Sequence, residues 1–162
     1  MEPTPIHETK LHGTITFPYS VYKGRIPEWI RSFPLHWHDD FELIYCTEGE
    51  MQVTLWGNAH SLHAGDLIII LPHAVHSIEQ GDQKDGEYFN ILFHAALFKG
   101  SENDPCYDKY VVPFLNGERT MECFFPAGTS FNRTVTPCIL PLLEHRKESY
   151  TTHELMIKSS LF

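Results

Sequence analysis

No window of this chain approaches the run of about 18 apolar residues that a membrane span requires. The N-terminus, MEPTPIHETK, also lacks the apolar stretch of a secretion signal. Both absences predict a cytoplasmic protein. Cysteine is scarce and dispersed: Cys46, Cys106, Cys123 and Cys138 form no C-x-x-C pair, which predicts reduced thiols in place of a disulfide framework. Clustered cations are missing as well. Twelve Lys and Arg stand against twenty-one Asp and Glu, a formal net charge of -9, with no basic block anywhere. Binding to a phosphate backbone draws on clustered cationic side chains, so this chain by itself is not expected to hold nucleic acid. No linker divides it either, and 162 residues with 42% apolar content suffice for one domain with an ordinary core.

Histidine is what the sequence has in quantity, eleven in all. In Phe33 to Cys46 (FPLHWHDDFELIYC), His36, His38 and Glu42 occupy even positions of a segment rich in β-forming residues. A strand sends alternate side chains to one face. These three are therefore expected to point inward with Asp40, Ile44 and Cys46, while Trp37, Phe41, Leu43 and Tyr45 cover the opposite face. A second segment, Gly65 to Ile78 (GDLIIILPHAVHSI), offers His76 after an apolar strand and a proline, with His73 as its nearest rival. Imidazoles and a carboxylate suit zinc, nickel, iron or manganese. His36, His38, Glu42 and His76 are thus the candidate metal ligands. The competing reading is a polar pocket wall that hydrogen-bonds a small molecule without metal.

Taken in order, the chain reads as short strands. Thr14 to Tyr22 is expected to be an early strand interrupted by Pro18, at an edge or in an arm across the domain, with Lys23 to Arg31 a loop. Glu48-Gly49-Glu50 reads as a turn into a strand from Met51 to Trp56, and Gly57-Asn58 as the next hairpin turn. Leu67 to Leu71 is a continuous apolar run, as in a strand buried on both faces. Tyr88 to Leu97 is strand-like at its start, and Asn90, Leu92 and His94 share one face of it. If that face is inward, which the sequence does not fix, Asn90 and His94 are candidate contacts for a bound small molecule, alongside Asp40.

Past residue 103 the character changes. Asp104-Pro105 reads as an N-cap followed by Pro at the first helical position, with Tyr107, Tyr110, Val111, Phe114 and Leu115 at helical spacing. Met121 to Phe125 is expected to be one more strand. A helix is expected to start near Pro141, since a proline would interrupt one begun at Pro137. Thr151-Thr152-His153-Glu154 fits a capping box for a last helix with Leu155, Met156, Ser159 and Phe162 along one face. That helix has no stop signal, so the chain is expected to be truncated. Asn132-Arg133-Thr134 matches a glycosylation acceptor, to which no role is assigned in a cytoplasmic protein.

The span from His36 to Ile78 resembles the cupin-type N-terminal sensory domain of AraC-family transcriptional regulators. His36, His38, Glu42 and Gly49 match the first cupin motif, G-x5-HxH-x3,4-E-x6-G, although Ile30 stands where its leading Gly would be. Gly65, Pro72 and His76 match the second motif with altered spacing, and Gln80 takes its final Asn position. The resemblance implies a mainly β fold, a cupin-like jelly-roll barrel with C-terminal helices. Residues 1–103 would form the N-terminal arm and barrel, and 104–162 the helices and one further strand completing the same domain. It further implies a small-molecule effector, often a sugar, inside the barrel, and a homodimer. DNA would be contacted only through a C-terminal helix-turn-helix domain missing from this chain. No catalysis is expected. The alternative is a metal-dependent cupin enzyme, a dioxygenase or isomerase, using the same four residues with an open coordination position.

Overall fold

The computed structural model describes residues 4–82, 85–144 and 152–161. In chain order its strands are β1 (Ile6–His7), β2 (Tyr19–Ile26), β3 (Ser32–Trp37), β4 (Phe41–Leu55), β5 (Asn58–His63), β6 (Leu67–Ile70), β7 (His76–Gln80), β8 (Gly86–Phe93) and β9 (Phe124–Phe125). The helices are α1 (Pro105–Tyr110), α2 (Val112–Leu115), α3 (Ser130–Glu144) and α4 (His153–Leu161). One sheet runs β1-β3-β7-β4-β5 and the other β2-β8-β4-β6-β9, antiparallel except for the parallel pair β1/β3. Strand β4 belongs to both. This is the expected mainly β, cupin-like barrel with C-terminal helices.

A strand can serve two sheets only if it bends. The register of β4 against β8 shifts between Cys46 and Glu48, and Gly49 follows with φ +68°. A side chain at Gly49 would run into the carbonyl of Asp85. The turn expected at Glu48-Gly49-Glu50 is therefore a bulge inside one continuous strand, which carries the chain round the corner of the barrel.

The two sheets enclose a core that includes Ile26, Ile44, Cys46, Met51, Val53, Ile68, Ile70 and Ile78. A second core lies on the outer face of the β2-β8-β4-β6-β9 sheet, where Phe41, Leu43, Leu67, Ile91 and Phe93 meet Phe125, Ile139, Leu142 and Ile157. Burial on both faces explains the unbroken apolar run at β6. It also confirms the division of the Phe33 to Cys46 segment, with Ile44 and Cys46 inward and Phe41 and Leu43 against the helices.

Several expectations are corrected. Phe33 to Cys46 is two strands, because the chain bends at Asp39-Asp40 while the His38 carbonyl accepts from the His73 N–H at 2.8 Å. Strand β2 begins after Pro18 and runs on through Lys23 to Ile26, held in an eight-residue ladder to β8, where a loop was expected. Helix α3 starts at Ser130 and contains both Pro137 and Pro141. Arg133 and Pro137, whose carbonyls lose their usual helical donors, are exposed to water. Burial of Ile139 and Leu142 then outweighs the two missing hydrogen bonds.

Its start is pinned by Asn132, which is buried and donates from Nδ2 to the carbonyls of Gly65 (2.9 Å) and Phe125 (3.1 Å). The apparent glycosylation acceptor is thus an anchor between helix and barrel. In α4 the buried residue is Ile157, whereas Leu155 and Met156 are exposed. Thr151 and Phe162 lie outside the described residues.

Candidate functional site

Strand pairing assembles the site. His36 on β3 sits directly opposite His76 on β7, and their rings lie 4.1 Å apart. His38 follows β3, and Glu42 is the second residue of β4. All four side chains are buried, and their ligand atoms lie within 4.8 Å of one another. The structure thus brings together the whole predicted set of His36, His38, Glu42 and His76. His73, the rival, is exposed beside Asp39, its Nδ1 3.4 Å from Oδ1 of that residue.

The hydrogen bonds around the cluster orient every ring. Nδ1 donates to a backbone carbonyl in each case: His36 to Pro34 at 2.8 Å, His38 to Asp40 at 3.0 Å and His76 to Ala74 at 2.8 Å. A carbonyl can only accept, so each Nδ1 carries a proton and each Nε2 is turned toward the cluster. Glu42 Oε2 lies 2.9 Å from His38 Nε2 and 3.1 Å from His76 Nε2. Donor atoms held at about 2.0–2.2 Å from one ion stand no more than about 4.4 Å apart. The cluster is close to that size, and three Nε2 atoms plus one carboxylate are an ordinary donor set for a first-row divalent ion.

Charge is already unevenly distributed among these groups. Burial works against charging His38, but the hydrogen bond and negative charge of Glu42 outweigh it and raise its pKa. Glu42 is fully buried, which alone would raise its pKa, yet hydrogen bonds from His38 and His76 hold it well below the usual carboxylate range. His36 is lowered, by burial first and by the charge of His76 second.

A cavity of about 240 Å³ opens from this cluster. His36 and Glu42 form one end, and Phe33, Ile78, Tyr88 and Leu92 supply apolar wall. Asn90 also lines it, and its Oδ1 is buried without a hydrogen-bond partner. Tyr22, Lys23 and three residues of the N-terminal arm, Glu8, Lys10 and His12, complete the lining, with Glu8 Oε2 3.7 Å from His36 Nε2. His12 is buried, with Nδ1 3.1 Å from the Tyr22 hydroxyl and Nε2 left unpartnered.

The other predicted contacts are placed differently. Asp40 is buried near His12 and His94 but does not line the cavity; burial raises its pKa and those imidazoles pull it down. His94 follows β8 and is exposed, and its Nδ1 accepts from the Ala96 N–H at 3.2 Å as the cap of a short 3-10 helix. The arm residues were missed. Their signal was period two, because Glu8, Lys10 and His12 alternate just as a surface-lining segment does.

Comparison with known proteins decides the family. The sequence profile of the AraC-like ligand binding domain matches residues 19–125. This chain belongs to that family. The AraC-like domain is 21% identical over 96% of its length to YdeC, an uncharacterized HTH-type transcriptional regulator of Bacillus subtilis, covering 53% of that protein. It is 24% identical over 98% of its length to the HTH-type transcriptional activator RhaS of Yersinia pestis, covering 55% of it. The chain therefore spans about half the length of these relatives.

Among solved structures, a cupin protein from Bacteroides fragilis matches 56% of the chain and 75% of that protein, at 22% identity and a TM-score of 0.44. A predicted oxalate decarboxylase from Thermotoga maritima matches 46% of the chain and 64% of that protein, at 26% identity and a TM-score of 0.42.

Proposed function

We propose that this AraC-like domain senses a small polar effector, a sugar among the candidates, bound in the cavity against a divalent metal held by His36, His38, Glu42 and His76. One observation carries the reading: a buried three-imidazole, one-carboxylate cluster ends a cavity that also contains unpartnered polar atoms of Asn90 and His12. Buried polar atoms without partners are costly, and a ligand with hydroxyl or amine groups would satisfy them. The metal, zinc, nickel, iron or manganese, would supply a Lewis-acid seat for an oxygen of that ligand. The chain's own residues orient the effector: Asn90 Oδ1 accepts a hydrogen bond from it, His12 Nε2 offers a second polar contact, and Tyr88 and Phe33 exclude water.

Occupancy of the cavity would favour one arrangement of arm, barrel and helices over another, which is what a sensor transmits. The chain works as a homodimer, as the family resemblance implies, and, by analogy with the HTH-type relatives, DNA is bound by a separate helix-turn-helix domain. Residues 1–103 serve as arm and barrel, and 104–162 as the helices and one further strand that complete the same domain. Calorimetric titration of the metal-loaded chain with a panel of monosaccharides and small hydroxy acids tests the site. Binding that is weakened in Asn90→Leu and lost with the metal supports it; binding indifferent to both changes contradicts it.

A second reading has its own observation. The cluster borders the cavity, so a five- or six-coordinate ion held by three His and one Glu would keep a position for substrate, as in a cupin dioxygenase or isomerase. Turnover of a bound ligand by the metal-loaded chain would favour the enzyme, and its unchanged recovery after long incubation the sensor.

A further inference from the structure

We propose that Glu8, carried by the N-terminal arm, is a fifth ligand of the metal centre, so that metal occupancy and docking of the arm on the barrel stabilise one another. The inference rests on the metal reading above and extends it to a residue outside the four-ligand cluster. Backbone pairing puts Glu8 there. Strand β1 runs parallel to β3 with Ile6 opposite His36 and His7 opposite Trp37, and the Glu8 N–H donates to the Trp37 carbonyl at 2.9 Å. The His7 ring stacks on Trp37 at 3.8 Å with a 5° interplanar angle, which fixes the arm's register on that strand.

In this register Glu8 Oε2 stands 3.7 Å from His36 Nε2. The Nδ1 proton of His36 is committed to the Pro34 carbonyl at 2.8 Å, so in the neutral ring Nε2 presents a lone pair. A carboxylate oxygen therefore faces a nitrogen lone pair across a gap longer than the hydrogen-bond range of about 2.7–3.2 Å. Two electron-rich atoms held face to face repel, and a cation between them makes the contact attractive. Donor atoms at about 2.0–2.2 Å from one ion stand about 3 to 4.4 Å apart, a range that includes the separation observed. By linkage, whatever the metal gains from the arm the arm gains from the metal.

The test uses the full untagged chain, stripped of metal by chelation and then reloaded with Zn²⁺. Lys10 is exposed on the arm, so tryptic cleavage after it, followed by mass spectrometry, reports undocking. Zinc is expected to slow this cleavage in the wild type, with little protection left in Glu8→Gln, and zinc affinity measured by competition with a chelating dye is expected to fall about 10-fold or more in that variant. Circular dichroism confirms that Glu8→Gln is folded. Unchanged affinity and unchanged protection in Glu8→Gln would overturn the proposal and leave the four-ligand site standing. Failure of the wild type to take up zinc would overturn both.

Discussion

Glu42 is the residue on which the centre turns, because it is buried among three imidazoles and touches two of them. Glu42→Gln keeps its shape and removes the charge. Zinc affinity is expected to fall at least about 10-fold, measured by competition titration. The same titration should show affinity rising with pH. The folded pKa of His38 is raised above 6.5, so a proton must leave before its Nε2 can ligate, and acidification returns that proton and releases metal.

His12 gives a prediction of opposite character. Burial lowers its pKa below 6.5, against the pull of Asp40. Between that lowered value and 6.5 the unfolded chain binds more protons than the folded one, so its contribution to stability rises with pH across this window and is complete above it. Denaturation of wild type and His12→Gln across this range should show the difference between them shrinking as pH falls. A difference that does not vary with pH would contradict it. The clustering of His36, His38 and Glu42 was legible in the sequence because the three share one parity. Glu8 was not, because its relation to His36 exists only once the arm has paired across a gap of about thirty residues, a long-range contact with little local signal.

Helix α3 carries the main lesson among the elements. Pro137 and Pro141 argued for a late start, since each removes a backbone donor. What the sequence pattern could not weigh was the tertiary gain. Ile139 and Leu142 are buried against the barrel, and Asn132 ties the first turn to Gly65 and Phe125. Ile139→Ala is accordingly expected to cost about 2–5 kcal/mol in urea unfolding. A cost within about 0.5 kcal/mol, the size typical of surface substitutions, would mean that the helix is not docked as described. The bulge at Gly49 hid for a related reason. A glycine between charged residues signals a turn on local grounds, and only the Asp85 carbonyl lying against it reveals a bent, continuous strand.

At the scale of the whole molecule, one barrel serves two different surfaces. Its interior holds the cluster and cavity, and its outer face holds the helices through a second apolar core. A change in the cavity and a change in helix packing are thus separated by the thickness of one sheet, whose strand β4 contributes Glu42 to the first and Phe41 and Leu43 to the second. That arrangement could be read in part from the sequence. The apolar run at β6 announced a sheet covered on both sides, whereas the closing of the cavity by the arm depends on residues that look like a polar tail.

The measurement that bears most directly on this account is the metal content of the untagged chain by elemental analysis, before and after chelation and in the His36→Ala variant. Near-stoichiometric zinc, nickel, iron or manganese in the wild type, removed by chelator and absent from His36→Ala, is the predicted result. A folded wild-type chain that holds no metal and takes up none when it is supplied would contradict the account and leave the four residues as the polar wall of a metal-free pocket.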